Sequence, residues 1–185
     1  MGKLIYSATT SLDGYMSDQF GNIDWTSPSE EILAMFNDIL QNVGTFLLGR
    51  VMYETLKIWD TFSEDSESPG MNQFAKIWAG ANKIVYSTSL KKVSGPNTTI
   101  APDFDTKTLA KLITDSDKDF DIGGPHLAGV AIRAGLVDEF HQIIVPKIIG
   151  GSNFWLPDKT SLELELVEIK KLQNGSAYLK YLKKS

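Results

Sequence analysis

The stretch DIGGPHLAGVAIRAGLVDEF, residues 121–140, decides how the chain is read. An acid and an aliphatic residue lead into two glycines and a proline, and a helical pattern follows. FDIGG (120–124) reads as a strand whose last residues let the backbone bend sharply. Pro125 suits a first helical turn, where the N–H it lacks has no partner within the helix. PHLAGVAIRAG (125–135) continues that helix until Gly135 closes it, and EFHQIIVPKII (139–149) is the next strand. Strand, glycine turn, helix and strand make up the unit of a parallel sheet covered by helices. The turn itself has two readings. Free N–H groups at a helix start gain from an anion such as a nucleotide pyrophosphate, and the same residues also serve a plain strand-to-helix bend. The pattern is neither Gly-x-Gly-x-x-Gly nor a Walker loop.

Outward from this stretch the same unit recurs. LIYSATT (4–10) is short and β-prone and runs into the turn-rich SLDGYMSDQFGNIDW (11–25). SPSEEILAMFNDILQNVG (27–44) predicts a helix with Ser29 as N-cap and acids in the first turn. Ile32, Leu33, Phe36, Ile39, Leu40 and Val43 form its apolar face, and Gly44 is the stop. TFLLG (45–49) is a continuous apolar run of the kind found in strands buried on both faces, and RVMYETLKIW (50–59) restarts a helical pattern. SEDSESPG (63–70) reads as a solvated surface loop. MNQFAKIWAG (71–80) is the next helix, KIVYST (83–88) a strand and TKTLAKLITDS (106–116) a helix. LELELVEIKKL (162–172) alternates apolar and charged residues, its phase shifting between Leu166 and Val167 as a bulge would cause. Asn174-Gly175 then turns it into AYLKYL (177–182). The expected fold is an α/β domain with a mixed, mostly parallel sheet and a C-terminal antiparallel hairpin. Ligands in such sheets bind beyond the carboxyl ends of the strands. Ser11 to Gly14, Gly49-Arg50 and Gly123-Gly124 fall at those ends.

With 185 residues, 42% of them hydrophobic, the chain has enough to bury one core and is short for two, so a single domain over 1–185 is expected. A net charge of -5 argues against binding nucleic acid or an anionic membrane, both of which require a basic surface. A small anionic ligand held by local donors stays compatible with it. The absence of cysteine excludes disulfides, thiolate catalysis and Cys-ligated zinc. Two histidines, His126 and His141, make no transition-metal constellation, and no metal is expected. MGKLIYSATTSLDG has no leader pattern, and no run approaches the ~20 apolar residues of a membrane span, so a soluble cytoplasmic protein is expected.

SLDG (11–14), Asp24-Trp25, LLGRVMYE (47–54), VYSTSL (85–90), IGGP (122–125) and LVDEF followed by VPKIIGGS come in an order that resembles the dihydrofolate reductase-like superfamily. The closest likeness is to stand-alone relatives of the riboflavin-biosynthesis reductase domain. That resemblance implies a three-layer α/β/α fold, NADPH as hydride donor, a small-molecule substrate and a homodimer. It also implies roles for particular residues. Ile122, Gly123, Gly124, Pro125, His126 and Leu127 form the turn under the pyrophosphate. Gly49, Arg50, Val51 and Met52 form a second phosphate loop, and Ser87 and Thr88 hold the adenosine ribose phosphate. Ala8, Thr9, Asp13 and Gly14 edge the nicotinamide pocket, with Asp13 the candidate catalytic group. Leu33 and Phe36 are candidates to face the substrate; Tyr15 and Trp25 have two readings, stacking on a planar substrate ring or anchoring the long loop that carries them.

Two departures narrow the substrate. Folate-reducing relatives carry a carboxylate on the first long helix, where this chain has Ile32 or Leu33, and Glu30 and Glu31 turn to a different helix face. Riboflavin-type relatives carry an Asp-Pro and an arginine after the second glycine loop, where this chain reads RVMYETLKIWDTF. The expected activity is therefore an NADPH-dependent reduction of a small heterocyclic or carbonyl-like compound. The alternative is a nucleotide-binding or sensor domain that kept the cradle without chemistry.

Overall fold

A computed structural model describes residues 1–26, 28–62 and 66–184. Among them, eight strands form one sheet: β1 (Leu4–Ser11), β2 (Val43–Gly49), β3 (Asn82–Tyr86), β4 (Thr98–Ala101), β5 (Asp119–Gly123), β6 (Glu139–Val145), β7 (Leu164–Lys171) and β8 (Ala177–Lys183). Their order is β4-β3-β2-β5-β1-β6-β8-β7. All pairings from β4 to β6 are parallel, and β8 joins β6 and β7 antiparallel. The helices are α1 (Glu30–Leu40), α2 (Arg50–Leu56), α3 (Pro69–Gly80), α4 (Thr106–Thr114) and α5 (Pro125–Arg133). No helix among the described residues is long and apolar enough to cross a membrane.

The continuous apolar run of β2 requires cover on both faces, and Phe46, Leu47 and Leu48 are all buried. On one face Tyr6, Leu47, Phe120, Ile122 and Phe140 pack against Leu109 and Ile113 of α4 and Ala128 and Ile132 of α5. On the other, Ile5, Phe46, Leu48 and Val85 pack with Leu40, Tyr53 and Trp78, contributed by α1, α2 and α3. Helix, sheet and helix make three layers, as the dihydrofolate reductase-like reading requires.

The C-terminal hairpin follows the sequence closely. The β7–β8 register slips between Leu166 and Glu168, and Gly175 takes φ 84° in the turn.

Several boundaries differ from expectation. Val43 and Gly44 belong to β2, not to α1, which ends at Leu40; the β2–β5 register shifts between Val43 and Thr45. KIWDT after α2 tightens into a 3-10 turn. Pro69 and Gly70, expected in a loop, open α3. Ser68 caps that helix by accepting from Met71 N, and Glu30 accepts from Gly70 N at 3.0 Å and from the Ser68 hydroxyl. Residues 63–65 of that expected loop lie outside the described residues. β3 ends at Tyr86 and β6 at Val145, before Pro146. β4 was not expected at all. TTIA has four residues and one strand neighbour, so tertiary pairing and not intrinsic pattern makes it a strand.

Two buried charged groups hold the frame. Lys83 Nζ donates to the carbonyls of Trp78 (2.8 Å) and Ala81 (3.0 Å) at the end of α3, and burial lowers its pKa. Glu139 meets Lys3 at 2.7 Å, Lys180 at 2.8 Å and His141 Nε2 at 3.3 Å. These contacts, led by His141, hold its carboxyl well below the usual range.

Candidate active site

Because β2, β5 and β1 are neighbours and parallel, Gly49, Gly123 and Ser11 end at the same edge of the sheet. The helices that follow directly on the ends of β2 and β5 differ from the others. Ser29, Ser68 and Asp105 cap α1, α3 and α4 by accepting backbone N–H groups, whereas α2 begins at Gly49 and α5 at Gly124 with no side-chain cap. The first amides of α5, those of His126 and Leu127, therefore lack both a helix partner and a capping oxygen. Gly124 has φ 98°, a region open in practice only to glycine. Gly49 has φ -72° and needs no glycine for its conformation. A Cβ built on it meets nothing within 4 Å, so the protein's own packing does not require a glycine there either. The space it leaves faces a cavity.

That cavity has a volume of about 420 Å³ and is lined by Gly49, Arg50, Val51, Met52, Gly123, Gly124, Pro125, His126 and Leu127. Nine of the residues expected to hold a dinucleotide thus share one cleft. Met16, Ser17, Gly21, Ile23, Thr55 and Asn153 complete it, residues from two loops and the outer turn of α2 that the sequence did not mark. The Arg50 guanidinium lies 2.7 Å from Glu54, one turn on.

A second cavity of about 260 Å³ adjoins the first, and Met16, Met52 and Gly123 line both. Ala8, Thr9, Leu33 and Phe36 line it, together with Leu40, Phe46, Leu48, Leu56, Trp59 and Phe74. Trp59 and Phe74 meet edge to face, their centroids 4.8 Å apart. Its polar floor is Ser7 and Asp121. The Ser7 hydroxyl donates to Asp121 Oδ1 at 3.1 Å, and burial pushes the Asp121 carboxyl up to about 7 against that bond. No local sequence pattern assigns this acid a role. The available signal was a charged residue in the middle of a strand that a parallel sheet buries on both faces. Phe120 and Ile122 point to the α4–α5 layer, so Asp121 and Gly123 share the opposite face.

Other expected residues lie elsewhere. Asp13 lines neither cavity. Its carboxylate accepts from Gly150 N (2.9 Å) and Ile149 N (3.3 Å), and the Ser11 hydroxyl first and these amides next hold it below the usual range. Gly14, at φ 86°, sits under Phe154, whose ring a Cβ would strike at 2.5 Å. Tyr15 bridges to Phe154 with an edge-on ring contact of 5.6 Å. Trp25 donates to Asn22 O at 3.1 Å. Ser87 closes a turn beyond β3 by accepting from Leu90 N, and Thr88 beside it is exposed. Ile122 is wholly buried under the turn it precedes. Glu30 and Glu31 do turn away from the cavities, Glu31 accepting from Gln173 N at 2.8 Å.

The family model of the RibD C-terminal domain matches residues 2–119 and 121–178. The chain belongs to the RibD C-terminal domain family. Among its relatives, the uncharacterized protein YyaP of Bacillus subtilis (strain 168) is 25% identical over 182 residues, covering 97% of this chain and 94% of that one. A protein from Shewanella sp. PV-4 assigned to riboflavin biosynthesis has a crystal structure that superposes with TM-score 0.74 at 18% identity, over 99% of both chains. Dihydrofolate reductase from Enterococcus faecalis, complexed with NADP(H) and RAB-propyl, superposes with TM-score 0.66 at 14% identity, over 100% of this chain and 98% of that one. The structural matches show that this RibD C-terminal-type chain shares the dihydrofolate reductase-like fold.

Proposed function

We propose that the protein is an NADPH-dependent reductase acting on a small heterocyclic or carbonyl-like compound. The observation that carries the reading is the pair of adjoining cavities, one built from uncapped helix starts and the other apolar with an acid in its floor. Gly124 and the His126 and Leu127 amides offer the pyrophosphate hydrogen bonds and the positive end of α5. Arg50 offers a fixed charge for phosphate on the adenosine side, and Ser87 and Thr88 lie at the carboxyl end of β3, next to β2, on that same side. The complex of the similarly folded Enterococcus faecalis enzyme with NADP(H) supports the same cofactor. Bound there, a reduced nicotinamide supplies hydride. Ala8 and Thr9 form the wall, and Met16, Met52 and Gly123 the seam, where its ring would reach the second cavity. Apolar walls exclude water from that place and hold a flat substrate against it. In the same reading the protein works in the cytoplasm as a homodimer, which light scattering after size exclusion tests.

The deciding experiment is a titration with NADPH and NADH, following tryptophan quenching and checked by calorimetry, on the natural protein and on Gly124→Val. Saturable binding that favours NADPH and is lost in a folded Gly124→Val supports the reading. Absence of binding to the natural protein, or equal binding to the variant, refutes the cradle. NADPH oxidation with a panel of pterins, flavin precursors and quinoid compounds then separates a reductase from a domain that only binds.

A further inference from the structure

The second cavity has a chemical bias of its own. Its walls come from α1 (Leu33, Phe36), β2 (Phe46, Leu48), the turn after α2 (Trp59) and α3 (Phe74), and these residues carry no charge. Among the described residues, no lysine, arginine or histidine lines it. Asp121 is its one ionisable side chain, 8% exposed, with the Ser7 hydroxyl as the protein's own partner. Asp119, two residues back on the same face of β5 and roughly 7 Å away, accepts from Lys3 N and Asn42 Nδ2, each at 2.9 Å; the next ionisable groups across this sheet face are Glu139 and His141. Glu139 pairs with Ile5 on the side opposite Asp121, two strand spacings or roughly 10 Å away, and it is already engaged by Lys3, Lys180 and His141. Tyr6 lies on the other face and donates to Trp155 O at 2.7 Å.

We propose that Asp121 is the substrate-binding acid of this cavity, and that the substrate is a flat, unphosphorylated nitrogen compound with a basic N–C–N or C=N edge. Resting on the reductase reading, the assignment adds the proton source and the substrate class. A phosphate in this cavity would find no cation, whereas an N–H edge finds a carboxyl and a basic nitrogen finds a proton. In the reduction of a C=N bond, hydride from the dihydronicotinamide dinucleotide, which is oxidised by two electrons, forms the new C–H bond. The π pair moves to nitrogen, which takes the Asp121 proton as the O–H bond breaks, and a solvent proton restores the carboxyl. Asp121 sits two residues before Gly123, which lines the seam between the cavities, so the acid lies roughly 7 Å along the strand from the place where hydride would arrive.

The test needs no cofactor. Benzamidine, a flat ring with an N–C–N cation, and neutral benzamide of the same shape are titrated by calorimetry into the natural protein, Asp121→Asn and Ser7→Ala, from pH 5 to pH 8.5. The expected result is a preference for benzamidine of at least tenfold at pH 8.5 that shrinks as pH falls and protons are released on binding. In Asp121→Asn, folded as judged by its thermal melt, the preference is absent at every pH, and in Ser7→Ala its onset moves to higher pH. Inorganic phosphate leaves benzamidine binding unaltered. A preference retained in Asp121→Asn, no binding of either compound to the natural protein, or competition by phosphate overturns the proposal. Failure of NADPH to bind refutes the reductase reading separately and leaves the benzamidine result standing.

Discussion

Asp121→Asn should make the protein more stable, and the gain should grow with pH. Burial moves this carboxyl from an ordinary 3.8 to about 7. Between those values the folded chain holds a proton that the unfolded chain has lost, so stability falls as pH rises through the window. At ~1.4 kcal/mol for each tenfold change in proton affinity, the full displacement is worth roughly 4 kcal/mol. Water drawn in around the carboxylate reduces it, and at least ~2 kcal/mol should survive. Asparagine keeps the shape, can accept the Ser7 hydrogen bond and does not ionise. Urea unfolding of both proteins at unit steps from pH 4 to pH 8 measures the difference directly. Groups common to both cancel, including Glu139, whose contribution runs the opposite way. The gap should be smallest at pH 4 and widen by roughly 2–4 kcal/mol by pH 8. Parallel curves would mean that Asp121 ionises as an ordinary aspartate, and the argument for a dry, acid-floored cavity would fail.

Three other substitutions test the frame. Glu139→Gln should cost about 3 kcal/mol near neutrality, because Lys180, Lys3 and His141 lose their common anion. That deficit should narrow as pH falls from 5 towards 3, where the natural glutamate's contribution is being lost; a constant deficit in urea titrations would contradict the pairing. Lys83→Met should leave the Trp78 and Ala81 carbonyls unanswered and lower stability by about 2 kcal/mol in thermal melts, and an unchanged midpoint would refute its role as the end-cap of α3. Asp13→Ala should speed hydrogen exchange at the Ile149 and Gly150 amides while nucleotide affinity stays the same. Unchanged exchange would show that the carboxylate does not hold that loop.

What the sequence disclosed depended on how local each signal was. IGGP and the bulged hairpin are written in adjacent residues, because a glycine turn and a phase shift need no distant partner to be seen. β4 was hidden because Thr98–Ala101 becomes a strand only when β3 lies beside it. Gly44 reads as a helix stop by local rules, yet the β2–β5 pairing carries the strand back to Val43. Within the candidate site, the residues lining the first cavity from Gly49 to Met52 and Gly123 to Leu127 were legible, since short loops at strand ends carry them. Tyr15 was not, because an aromatic ring in a loop serves a ligand or a partner equally well until Phe154 is placed against it. Asp121 stayed silent for a related reason. Whether a strand carboxylate meets solvent, an ion partner or a cavity depends on which helices roof that face, and residues far from it in the chain decide that.

Of the strands in this sheet, the one that comes earliest in the chain lies at its middle. Leu4 N donates to a carboxylate oxygen of Asp138, 134 residues later, and both neighbours of β1 come from the far half of the chain. During synthesis β1 therefore waits with both edges open until β5 and β6 emerge, which exposes it to wrong pairing and makes closure of the sheet a slow, late step. The cavities inherit this timing, because their floor is β1 beside β5. A ligand for them has nothing to bind in a half-made chain, and its stabilising effect falls on the completed fold alone.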